Sequence, residues 1–89
     1  MKFKITFCLD LGKEKFHVTV EVECPDEPQI SGNRQLFVIR PVSHFEVIES
    51  ESSKGWKNYF TVSVAYDEGV LVYTDDDCHY FYMELPKKI

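Results

Sequence analysis

Three short stretches of this sequence hold residue types that could do chemistry, and a fourth could hold a partner. Cys8 and His17 come first. A thiol beside an imidazole can act as nucleophile with general base, or supply half of a zinc site. Neither set is complete. No third residue that would orient the histidine follows from the spacing, and zinc needs two further ligands. The simpler reading is two residues that face each other across paired strands. No catalytic residue, metal ligand set or cofactor is assigned.

Asp75, Asp76 and Asp77, followed by His79, suggest a hard cation. Calcium loops, however, space their carboxylates at alternate positions and add a glycine at the turn. Three consecutive carboxylates cannot all point at one ion, so the run reads as a solvated turn that discourages edge pairing. The stretch from Lys54 to Phe60 interleaves lysines with aromatics, as stacking platforms for single strands do. Lys54, Trp56, Lys57 and Tyr59 would carry such a site, with Arg34, Arg40 and His44 able to join it. Against it stands the charge: fifteen acidic residues outweigh ten basic ones, a net −5, whereas a phosphate-driven binder carries a basic face.

The fourth stretch, Tyr80-Phe81-Tyr82-Met83, is apolar or aromatic on both faces. A single core layer can cover only one of them. A tyrosine hydroxyl without a partner costs free energy when buried, whereas Phe and Met lose nothing by leaving water. Phe81 and Met83 are therefore expected inside. Tyr80 and Tyr82 should stay partly exposed or sit in an interface, where tyrosine is enriched. Tyr73 and the acidic residues Asp75, Asp76 and Asp77 would border that patch, and Tyr59 could extend it.

The elements that position these residues follow from period-two alternation. Phe3, Ile5, Phe7 and Leu9 alternate with Lys4, Thr6 and Cys8; Phe16, Val18, Val20 and Val22 alternate with His17, Thr19 and Glu21. Strict alternation over both segments means two half-buried strands. Gly12-Lys13 suits a two-residue type II′ loop between them. That loop sets Phe7 opposite Val18, Cys8 opposite His17 and Lys4 opposite Glu21. Opposite charges and Thr6–Thr19 then meet on the outer face, each pair worth a few tenths of a kcal/mol (~0.2–1).

Residues 25–35, with two prolines and Gly32-Asn33, read as a loop. Leu36 to Ile39 is apolar on both faces and suits an interior strand, ended by Arg40-Pro41 because proline cannot donate to the ladder. His44 to Glu49 is a short strand and 50–55 a polar loop. Residues 56–66 read as a strand with Phe60, Val62, Val64 and Tyr66 on one face; the same alternation turns Trp56 toward the core. Asp67-Glu68-Gly69 reads as a three-residue loop with Gly69 in the left-handed region. Val70 to Thr74 returns, Asp75 to Asp77 turns again, and Cys78 to Leu85 is the last strand, with 86–89 a loose tail. No window of ten residues has a helical period.

The expectation is one all-β domain over residues 1–89: a small antiparallel meander barrel or two-layer sandwich of six to seven strands. Three widely spaced cysteines without a CxxC do not form a disulfide framework, and the apolar run before Asp10 is too short for a leader or a membrane span. These features place the chain in the reducing cytoplasm with free thiols. Its opening hairpin and acidic balance resemble, in style, small proteins carried by phages and mobile elements. The expected function is non-enzymatic protein binding: an inhibitor or adaptor, in one version an acidic mimic of nucleic acid set into the basic channel of a host or defence protein. A single-strand-binding barrel is the alternative. A protein partner is expected, a homodimer is allowed, and neither nucleic acid nor a membrane is.

Overall fold

A computed structural model of the chain describes residues 1–32, 35–75 and 80–89, with Tyr66 described by its backbone. The opening hairpin is as the alternation requires. Strands β1 (Lys2–Asp10) and β2 (Lys15–Glu23) pair antiparallel with Phe7 opposite Val18, Cys8 opposite His17 and Lys4 opposite Glu21. Gly12 takes φ 91°, the left-handed region a first loop position needs, and its N–H donates to Asp10 Oδ1 at 2.8 Å. The Thr6 and Thr19 hydroxyls lie 3.0 Å apart.

The other strands are β3 (Gln29–Gly32), β4 (Leu36–Arg40), β5 (His44–Ile48), β6 (Thr61–Val64), β7 (Val70–Tyr73), β8 (Tyr80–Met83) and β9 (Lys87–Lys88). They form two antiparallel sheets. One runs β5-β2-β1-β8 with β9 also on β1, and the other runs β3-β4-β7-β6. The fold is all-β, as expected, and it is a two-layer arrangement rather than a closed barrel.

Ile5, Phe7, Leu9, Val18, Val20 and Val22 of the first sheet share one buried cluster with Ile39, Val70 and Val72 of the second. The six from the first sheet come from the apolar halves of its two alternating strands, so their burial follows the period. An aromatic group joins the layers where Phe37 on β4 meets Phe7 at 5.4 Å and Phe81 at 5.0 Å. Phe60, just before β6, lies 5.6 Å from Phe81. At the other end of the same strands, Val64 and Val70 border a groove with Phe45 of β5. Strands of the second sheet therefore run across the first, from its β8 side to its β5 side.

Several elements differ from the expectation. Gln29–Gly32, read as loop, pairs with β4 as an edge strand, because Ile30 finds Ile39 across from it. The supposed strand from residue 56 starts only at Thr61; Trp56–Asn58 is a 3-10 turn entered through Gly55 at φ 84°. Gly69 is not the left-handed residue of the next loop. Its backbone is extended, and Asp67 and Glu68 take the positive φ values of 62° and 57°. Glycine is needed at 69 for space, since a Cβ there would stand 2.8 Å from the Ile39 carbonyl oxygen.

The final strand does not continue the meander beside β7. It crosses to the first sheet, where Phe81 pairs with Leu9 and Tyr82 with Cys8. Residues 86–89 are not a free tail either, for Lys87 pairs with Lys4 and Lys88 with Phe3. From Phe7 to Lys4 β1 takes three steps while its partner takes four, from Met83 to Lys87, so one residue bulges out beside Pro86. No helix among the described residues is long and apolar enough to cross a membrane.

Candidate interaction surface

On β8, Phe81 is buried and Met83 packs against the core, while Tyr80 is 60% exposed and Tyr82 half-buried. The tyrosine rings lie 4.9 Å apart on the outer face of the first sheet. Register puts Tyr80 beside Asp10 and Tyr82 beside Cys8. Leu85, carried out by the bulge, is 86% exposed and lines a shallow depression with Thr6, Thr19, Ile48 and Glu84. Sequence reading passed over Leu85; Pro86 after it, marking a break in the edge strand, was the available signal.

Only part of the expected patch assembles. Tyr73 belongs to the second sheet, on the opposite side of β7 from the buried Val70 and Val72, and so faces away from Tyr80 and Tyr82. Asp75 is exposed. Asp76, Asp77, Cys78 and His79 lie outside the described residues, and so does Arg34.

Cys8 is buried although it stands on the outer face. Tyr82 and Glu84 cover it: the thiol donates to Glu84 Oε1 at 3.8 Å. Burial pushes the Cys8 thiol above its ordinary range; contact with Tyr82 pulls the other way, and the Glu84 charge adds to the rise. A nucleophilic cysteine needs the reverse shift, because the thiolate is the reactive form. Tyr82 is raised as well, first by its contact with Cys8 and then by burial and the nearby Glu84 and Asp10. Among the described residues no group of three or more His, Cys, Asp or Glu side chains is placed to hold a metal ion.

The candidate stacking platform is differently employed. Trp56 Nε1 donates to Glu49 Oε1 at 3.3 Å, and Lys57 Nζ reaches the same oxygen at 3.0 Å. Lys57 also lies 5.8 Å from the Trp56 ring centre. These contacts, Lys57 first, hold the Glu49 carboxyl below its usual range. Tyr59 stacks on Phe16 at 4.1 Å. Lys54 and Trp56 line a shallow cleft with Glu49 and Glu51, so carboxylates share it with the lysines. Of the expected companions, Arg40 contacts Asp67 at 3.5 Å, and His44 faces Glu23 at the far end of β2 from Phe16. Glu49, read as the last residue of a strand, lies just past the end of β5 at Ile48, in an irregular connection where no period predicts contacts.

Comparison with known protein families, with curated proteins and with solved structures finds no match to this chain.

Proposed function

We propose that this chain is a non-enzymatic protein-binding module that engages its partner through the outer face of β8. The observation that carries the reading is the pairing of Tyr80 and Tyr82, 4.9 Å apart, with Tyr80 60% exposed. Leu85 adds an apolar contact beside them. Rigid aromatic side chains with a polar tip dominate the energetics of many interfaces, since they bury much area for little lost entropy. The sheet beneath holds them in place.

Charge on this face is mixed. Lys4 opposes Glu21 and Asp10 opposes Lys15, so lysines interrupt the carboxylates along the sheet. That pattern favours an inhibitor or adaptor anchored by tyrosines over an acidic mimic of nucleic acid, which would present an unbroken acidic surface. A suitable partner offers an apolar groove with an acceptor for the Tyr80 hydroxyl and basic groups toward Asp10 and Glu84.

The test is capture from the natural host with the wild type and with Tyr80→Ser/Tyr82→Ser. The double variant should stay cooperatively folded, with a modest fall in melting temperature because Tyr82→Ser uncovers Cys8, and bind the captured protein at least about thirtyfold more weakly, as loss of an interface hot spot does. Equal binding by both proteins would refute this surface.

A further inference from the structure

We propose that β6 is a self-pairing edge, joining two copies of this chain antiparallel with Val62 of each opposite Val64 of the other. An unpaired strand edge is a template for another strand, and folds blunt such edges with charge, proline, glycine or bulges. Three of the edges here are blunted. β5 carries His44 and Glu46; β8 and β9 are separated by a bulge at Pro86 and end in two lysines; β3 follows Pro28 directly and ends in Gly32. β6 reads Thr-Val-Ser-Val, with no charge, proline or glycine, and among the described residues it pairs with β7 alone.

Its side chains show the same lack of cover. Val64 pairs with the buried Val70 and so stands on the inner face of the sheet, yet it is 68% exposed. It borders a groove of about 510 Å³ that Val42, Phe45 and Val70 also line. A strand added beside β6 would extend the second sheet over Val64.

Two features point to a second copy as that strand. A two-fold axis midway between the two copies of Ser63, perpendicular to the sheet, places Val62 opposite Val64 and Ser63 opposite Ser63, and keeps all four valines on one face. A pairing shifted by one residue would turn one copy's valines outward. The backbone agrees with this register. Ala65 N–H donates to the Gly69 carbonyl at 2.8 Å, so by alternation the N–H and C=O groups of Val62 and Val64 point away from β7. Pairing Val62 with Val64 of the other copy brings those outward groups together as mutual donors and acceptors.

Sedimentation of the full chain at about 100 µM should give twice the 10.4 kDa chain mass. Val64→Lys changes an exposed side chain, so it should melt like the wild type while dimerising at least about tenfold more weakly. Tyr80→Ser/Tyr82→Ser should dimerise as the wild type does, which separates this edge from the β8 surface. Ser63→Cys, beside the axis with Cβ atoms about 5 Å apart, should form a covalent dimer on mild oxidation where the wild type does not. A wild-type chain that stays monomeric up to about 1 mM would overturn the proposal. So would a dimer untouched by Val64→Lys, a dimer lost only in the tyrosine variant, or a Ser63→Cys protein that fails to cross-link.

Discussion

Phe37 and Phe81 meet edge to face with ring centres 5.0 Å apart, and this contact ties the strand that carries the exposed tyrosines to the opposite sheet. Phe81 also lies 5.6 Å from Phe60 and 6.4 Å from Phe7. Truncating it would leave a cavity between the layers. Phe81→Ala should cost about 3–5 kcal/mol, a large share of the stability of a domain this small. Urea unfolding checks it; a loss below about 1 kcal/mol would mean that Phe81 is not between the layers.

Backbone conformation in the 65–69 loop makes opposite expectations for adjacent residues. Glu68 holds φ 57°, where a side chain is disfavoured, so Glu68→Gly should be neutral or stabilise by up to about 1 kcal/mol. Gly69 has no room for a methyl against the Ile39 carbonyl, so Gly69→Ala should destabilise by about 1–3 kcal/mol. Thermal melts of the two variants should move apart, and a reversal would place the left-handed residue at 69 after all.

Buried thiols predict the alkaline side of the stability curve. Burial raises both Cys8 and Cys24 in the folded chain, with Glu84 adding to the rise at Cys8 and the N-terminal ammonium opposing it at Cys24. A raised folded-state value favours the protonated form, so its contribution is complete below the unfolded thiol value of about 8.5 and is lost as pH climbs through the folded one. The urea midpoint should therefore fall from pH 8 to pH 10, and Cys8→Ala should flatten that fall. Alkylation without reductant should label all three cysteines once the chain is denatured, while Cys8 and Cys24, both free and buried, react slowly in the native state.

Single-stranded nucleic acid should bind poorly. With Trp56 and Lys57 held on Glu49 and Tyr59 on Phe16, the aromatic faces are partly occupied, and the net charge opposes phosphate contacts. Titration of a labelled strand at physiological salt should show no affinity tighter than about 1 µM. Tight binding abolished by Trp56→Ala would restore the nucleic-acid reading.

The residues that face inward, and the one register closed by a short turn, were legible in the amino-acid sequence. Alternation assigned Phe7 and Val18 to the core, the cost of burying a tyrosine hydroxyl turned Phe81 inward and Tyr80 to solvent, and the Gly12-Lys13 loop placed Cys8 opposite His17. These are local properties: a period of two names a face, and a two-residue loop leaves one register. Which strand lies beside which was decided only by tertiary packing. Nothing local to Tyr80–Met83 says that it leaves β7 to pair with β1, that Tyr73 thereby ends on the other sheet, or that Glu84 reaches Cys8. The same holds for Trp56, which an alternating pattern made a strand residue and a glycine at φ 84° turned into a 3-10 turn against Glu49. Choosing a neighbour compares burial between segments tens of residues apart, and that comparison exists only once both sheets are in place.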